Sequence, residues 1–159
     1  MHRLFSCLFF PFVLATLTGC QSPGLSQQQT ELLQYEGFTL TDDGWELNMS
    51  AKLLFPLNSD QLSAEMNTRI THITQQLLSI GIDHARLEGH ADSTGTPAYN
   101  EELSTRRANS VAQAMINAGM SEEKISVRGM GITKPVHDNS TAQGRRENRR
   151  VVIIIDPSN

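Results

Sequence analysis

Six apolar side chains mark the clearest helix. Leu62, Met66, Ile70, Ile73, Leu77 and Ile80 recur at spacings of four, four, three, four and three, which puts them on one helical stripe. Ser63 is placed to cap its start and Gly81 to end it. Ala85, Leu87 and Gly89 then alternate with Arg86, Glu88 and His90, the period of a strand. Ala91 to Pro97 is polar and reads as a loop. A second helix is predicted over Ala98–Ala118, with Leu103, Ala108, Val111, Ala112 and Met115 turned inward and Gly119 as its stop. Ile125–Arg128 is a third strand, and Met130–Arg146 is a long loop. Val151–Ile155 is an unbroken apolar run, the pattern of a central strand covered on both faces.

Upstream, Phe38-Thr39-Leu40 and Trp45-Glu46-Leu47-Asn48-Met49 alternate around Thr41-Asp42-Asp43-Gly44, a hairpin with Asp-Gly at its turn. Lys52–Phe55 is expected to continue extended as far as Pro56. Ser26 could cap a short helix over Gln27–Tyr35, with Leu32 and Leu33 as its apolar contacts. The predicted fold is α+β. It is a β-α-β-α-β-β sandwich with two helices on one face of a mixed sheet, preceded by an N-terminal hairpin segment.

The chain has 159 residues, enough for one domain of ordinary size. Its 38% hydrophobic and 19% charged content is that of a globular protein. Thirteen Lys and Arg against seventeen Asp and Glu give a net charge of −4, a poor surface for general nucleic-acid binding. No apolar stretch reaches the roughly 18 residues of a membrane-spanning helix.

The first twenty residues have a different character. Met1-His2-Arg3 is basic, and Leu4–Leu17 is apolar apart from Ser6 and Thr16. Thr18-Gly19 is small, and no acid occurs before Glu31. This is a secretory signal pattern. Leu17-Thr18-Gly19-Cys20 resembles a bacterial lipobox, which implies cleavage before Cys20 and acylation of that residue. Cys7 is removed with the signal, so no thiol remains for a disulfide, a metal or a nucleophile. Gln21 after the cysteine implies sorting to the outer membrane. The expected organisation is a signal peptide over residues 1–19, a lipidated tether over 20–36 and a domain over 37–156.

The region with most chemical information runs from Leu87-Glu88-Gly89-His90-Ala91-Asp92-Ser93-Thr94-Gly95 through Tyr99-Asn100 to Leu103-Ser104-Thr105-Arg106-Arg107-Ala108-Asn109. Gly144-Arg145-Arg146-Glu147-Asn148-Arg149-Arg150-Val151 joins it late in the chain. Together these pieces resemble the OmpA-like domain found at the C-termini of OmpA, Pal and MotB, over residues 50–156. The resemblance implies non-covalent binding of peptidoglycan through the diaminopimelate of its stem peptide. The free end of that residue carries one ammonium and one carboxylate. The first calls for an anion; the second calls for a guanidinium or backbone N–H groups. By resemblance Asp92 takes the ammonium and Arg107 the carboxylate. The N–H groups around Ser93, Thr94 and Gly95 add donors, and Asn100 and Arg150 stand at the rim.

Each residue also has a plainer interpretation. Asp92 could be a turn or cap residue, and Arg107 an ion pair with Glu101 or Glu102. Arg106 is expected to face solvent, and Asn148-Arg149-Arg150 to order a loop as readily as to bind. Glu88, His90 and Asp92 alternate along one strand but are too spread for a compact metal shell. His90, Asp92 and Ser93 are adjacent, which is not the geometry of a catalytic triad. Gly129-Met130-Gly131 lacks the Lys-Ser/Thr of a phosphate loop. The chain is therefore expected to be no enzyme and to need no cofactor or metal.

The segment from Leu32 to Glu46 is too apolar for a plain linker. It resembles one lipoprotein branch of the family, as do Ala51–Phe55 and Arg128–Val136. Members of that branch capture a YfiR-like periplasmic repressor. An inner-membrane diguanylate cyclase is thereby released to make cyclic di-GMP, which promotes biofilm growth. On this basis Leu33, Phe38 and Trp45 are expected at the partner-docking surface, with packing on the domain's own sheet as the alternative. A purely structural anchor of the Pal type, between outer membrane and cell wall, is the competing function.

Overall fold

The computed structural model describes residues 24–56 and 59–157. The signal peptide expected over residues 1–19, Cys20 and the Leu57-Asn58 pair lie outside the described residues. The elements in chain order are α1 (Gln27–Tyr35), β1 (Thr39–Thr41), β2 (Gly44–Ser50), α2 (Ala51–Leu54), α3 (Ala64–Ser79), β3 (Ala85–His90), α4 (Pro97–Asn117), β4 (Ile125–Gly129), α5 (Ala142–Asn148) and β5 (Arg150–Ile155). A 3₁₀ turn over Glu122–Lys124 leads into β4.

Among the described residues the strands form one mixed sheet in the order β1-β2-β5-β3-β4. Only the β3–β4 pair is parallel, as a strand–helix–strand crossover through α4 requires. The apolar run of β5 lies between β2 and β3, and all six of its residues are buried. Alternation along the central strands then sorts the two faces. Leu87, Ile153 and Leu47 turn toward α3 and α4 and join the hydrophobic core. Arg86, Glu88, His90, Arg150, Val152 and Ile154 share the opposite face.

Helix α4 lies directly on β3 and β4. A Cβ at Gly89 would stand 1.9 Å from the Ser104 carbonyl oxygen, and one at Gly129 would stand 2.0 Å from Thr105 Oγ1. Only glycine permits this approach. The α+β sandwich with two long helices on one face agrees with the expectation from the sequence. So does the Asp-Gly hairpin, with Gly44 at φ +118°.

Three segments differ from the sequence expectation. Lys52–Phe55 is not extended: Ala51–Leu54 makes a single helical turn, which puts Ala51 and Leu54 inward together and leaves Leu53 exposed. The long loop contains α5, started by Thr141 Oγ1 accepting the Gly144 N–H at 2.9 Å.

The third difference concerns the tether. The helix expected over residues 27–35 is present as α1, started by a capping box between Ser26 and Gln29, but it packs into the body instead of lying in a tether. Leu33 is 0% exposed in the core, and Gln29 Nε2 donates to the Ile80 carbonyl at 3.1 Å. The packed body thus begins near Leu25 rather than at residue 37. Phe38 and Trp45 are buried in the same core. Burial of Leu33, Phe38 and Trp45 corrects the expectation of a docking surface made from these three side chains: they pack on the domain's own sheet and helices.

Candidate functional site

β3 ends at His90, and Ala91 N–H donates to the Gly131 carbonyl at 2.8 Å, so the chain leaves the sheet at a fixed point. Asp92 is the next residue and is only 6% exposed. Its Oδ1 accepts the Thr94 N–H at 2.8 Å, closing an Asx turn. Its Oδ2 accepts a hydrogen bond from Arg149 Nη1 within an ion pair. Burial alone would raise the Asp92 carboxyl. The hydrogen bonds from Thr94 and Arg149 outweigh it and hold the group below the usual carboxylate range.

The loop around Asp92 is fastened on both sides. Asn100 is buried, and its Nδ2 donates to the Asp92 carbonyl at 3.2 Å and the Thr94 carbonyl at 2.9 Å. Ser93 N–H donates to Asn139 Oδ1 at 3.2 Å. Gly95 adopts φ +92°, and Thr96 Oγ1 then caps α4 by accepting the Tyr99 N–H at 3.3 Å. The Ser93 and Thr94 N–H groups, expected as ligand donors, are thus engaged in holding the loop. Asn100 serves the same purpose.

Arg107 lies on α4 with its Cζ 5.4 Å from the centroid of the Phe55 ring. Its Nε is buried without a hydrogen-bond partner. Burial, with Arg149 beside it, lowers its pKa from the ordinary guanidinium value. Among the described residues no carboxylate forms an ion pair with it. Arg106 takes the pairs instead, with Asp60 at 2.9 Å and Glu102 at 2.6 Å. It lies at the surface, as expected, with its guanidinium held by these two carboxylates. An open groove of roughly 970 Å³ runs past these groups, lined by Phe55, Pro56, Asp60, Tyr99, Arg106, Arg107 and Arg149 among others.

Of the two arginines at the start of β5, Arg149 and not the expected Arg150 lines the groove. Arg149 precedes the strand, lines the groove and reaches Asp92. Arg150 is in register with His90 and turns to the helix-free face, where its Nη2 donates to the Lys134 carbonyl at 3.2 Å. It does not stand at the groove rim, because successive residues entering a strand point to opposite sides. Alternation says that Arg149 and Arg150 point opposite ways, but β5 is buried on both faces and gives no phase to choose between them. Asn148 is fully buried and organises the preceding loop: its Oδ1 accepts the Val136 and His137 N–H groups, each at 2.9 Å.

The opposite face carries a separate charged cluster. Glu88 is buried and pairs with Arg86 and, at 3.6 Å, with Lys134 Nζ. His90 Nε2 lies 3.7 Å from it. Burial, then Arg150 and Lys134, push the His90 pKa down to about 3, so its ring is neutral. Among the described residues no group of three or more His, Cys, Asp or Glu side chains could hold a metal ion.

The groove is lined by a half-buried arginine, Arg107, without an ion-pair partner, and by Arg149, which holds the buried, charged carboxylate of Asp92. That arrangement suits a small ligand with charges of both signs. Comparison with known proteins places it in context. The chain is 48% identical to an outer-membrane lipoprotein YfiB of Pseudomonas aeruginosa, over 96% of this chain and 93% of that one. It is 40% identical to a putative lipoprotein YfiB of Escherichia coli, over 91% of this chain and 92% of that one. Its fold matches the crystal structure of the periplasmic domain of Helicobacter pylori MotB with a TM-score of 0.67 at 25% identity, covering 77% of this chain and 82% of that one. The profile of the OmpA family matches residues 54–149, from the end of α2 to Arg149. That span takes in most of the groove lining, and the chain belongs to the OmpA family.

Proposed function

We propose that this chain is an outer-membrane lipoprotein, anchored through Cys20 and facing the periplasm, that holds peptidoglycan without a covalent bond and without catalysis. The ligand is the diaminopimelate end of the stem peptide, with its ammonium at Asp92 and its carboxylate at Arg107. One observation carries this reading. Asp92 is buried yet kept charged, and Arg107, without a carboxylate of its own, lines the same groove as the arginine bound to Asp92. Each charge-assisted hydrogen bond contributes roughly 1.5–3 kcal/mol. Asp92→Ala and Arg107→Ala should each weaken co-sedimentation with peptidoglycan about tenfold or more. Full binding by both folded variants removes the site.

The second half of the function is capture of a YfiR-like periplasmic repressor, with release of a diguanylate cyclase and cyclic di-GMP signalling as the outcome. Its support is that the likeness to YfiB extends over 96% of the chain, well beyond the domain shared with other OmpA-like proteins. With Leu33, Phe38 and Trp45 buried, the exposed large apolar side chains of the same segment are Tyr35, 84% accessible, and Leu40, 65% accessible. Tyr35→Ala with Leu40→Ala should reduce repressor capture and leave peptidoglycan binding unchanged. Undiminished capture would favour a structural anchor of the Pal type.

A further inference from the structure

Given the lipid anchor proposed at Cys20, on which this inference rests, the short chain from Cys20 to Leu25 limits how far the folded body can stand from its membrane. Leu25 already packs against the core. At roughly 3.4 Å per residue, that stretch spans at most about 17 Å, whatever its conformation. Gln29 Nε2 donates to the Ile80 carbonyl, so α1 starts beside the C-terminal end of α3. The same end of the sandwich, its base, holds the starts of β3 and β4 and the end of β5, because Ala85 is in register with Ile125 and Arg86 with Ile154. The groove lies at the other end, beyond His90, and the length of β3 sets the two ends about 20 Å apart. The acylated residue is therefore held close to the base, with the groove turned away from it.

An open pocket of roughly 460 Å³ is cut into that base, lined by Asp83, His84, Arg86, Glu123 and Lys124 among others. Asp83 Oδ2 and Lys124 Nζ are 3.6 Å apart and both side chains are 55% exposed, so the pair is weak and open to exchange with outside charges. Glu123 is exposed and forms no ion pair among the described residues. Arg86 is engaged by Glu88 and by the Asp43 carbonyl. The mouth of the pocket thus offers two carboxylates and one ammonium. A headgroup with a phosphate followed by a primary ammonium matches them: the phosphate accepts from Lys124, and the ammonium donates to Asp83 and Glu123. A choline headgroup carries the same charges but has no N–H to donate. A headgroup with a phosphate alone meets an excess of negative charge. We propose that the base of the sandwich is a lipid-contact surface whose pocket takes a phosphoethanolamine headgroup of the bilayer that holds Cys20.

The test follows amide hydrogen exchange in the full-length lipidated protein reconstituted into vesicles of phosphatidylethanolamine with phosphatidylglycerol, or of phosphatidylcholine with phosphatidylglycerol in the same proportion. Flotation with the vesicles reads the anchor separately. In the ethanolamine vesicles residues 81–85 and 122–126 should exchange about twofold or more slowly than in the choline vesicles, the size of effect that exposed ion pairs produce. Residues 93–96 at the groove should exchange equally in both. Asp83→Asn with Glu123→Gln changes two exposed side chains outside the groove, and should abolish the difference without altering flotation or the melting transition. Equal exchange of residues 81–85 and 122–126 in the two vesicle types, or an ethanolamine effect that survives the double variant, overturns the headgroup site and leaves the anchor standing. Protection that falls on residues 93–96 instead overturns the orientation and the site with it. A wild type that does not float overturns the anchor and the inference together.

Discussion

Acid should weaken this fold through one residue on the helix-free face of the sheet. His90 is 3% exposed, and neither ring nitrogen has a hydrogen-bond partner. The groups that face it are Glu88 on its own strand, Arg150 on β5 and Lys134 on the covering loop. Glu88 is occupied by Arg86 and Lys134, so the surroundings favour the neutral ring, and the folded pKa falls from 6.5 to about 3. The unfolded chain therefore binds a proton that the folded chain does not. Stability is complete above the unfolded value and declines as pH falls from 6.5 toward 3. At pH 5 the difference is RT ln(1 + 10^1.5), about 2 kcal/mol, whereas at pH 7.5 it is below ~0.1 kcal/mol. Urea unfolding of wild type and His90→Gln at both pH values isolates this contribution, because the remaining titrating groups are common to the two. The wild type should lose about 2 kcal/mol more than the variant, at equal m. Equal losses in the two proteins would show that the buried imidazole is not the sensor and refute the reasoning.

Two further perturbations follow from packing and hydrogen bonding. Leu33→Ala leaves a cavity between α1 and the core and should cost about 2–5 kcal/mol, read by urea unfolding, with α1 becoming the first site cut in limited proteolysis. If α1 stays protected, its attachment does not depend on Leu33. Asn148→Ala strands the Val136 and His137 N–H groups and should lower the melting temperature by several degrees for a loss of about 1–3 kcal/mol. An unchanged transition would mean that water replaces the amide.

How much of this was legible in the sequence varied with the length of the signal. The stripe from Leu62 to Ile80 covers most of α3, because every turn repeats the same statement. Ala51–Leu54 is one turn long, and four residues cannot separate a helical period from a strand period. α5, with the sequence Ala-Gln-Gly-Arg-Arg-Glu-Asn, has no apolar stripe at all. It exists because Gly144 lets the backbone approach the Asp138 carbonyl, where a Cβ would stand 1.9 Å away. Arg149 was missed for a related reason. Val151–Ile155 is apolar on both faces, so the sequence carries no phase from which to tell which arginine points to the groove. Burial of Leu33, Phe38 and Trp45 was equally hidden, since an apolar patch awaiting a partner and a core contact have the same composition.

The close approach at Gly89 and Gly129 has a mechanical consequence. If cell wall is held at Asp92 and Arg107, any tension in the polymer enters the protein at two points, the end of β3 and the middle of α4. The backbones of those elements already touch at Gly89, with no side chains between them to compress or slide. β3 in turn is hydrogen-bonded along its length to β5 on one side and β4 on the other. A pull along the strand direction must shear both ladders at once rather than peel one bond at a time. The groove is therefore attached to the stiffest part of the molecule, and the protein should yield first at its N-terminal helix, where Leu33, the Gln29–Ile80 bond and few other contacts tie α1 to the core.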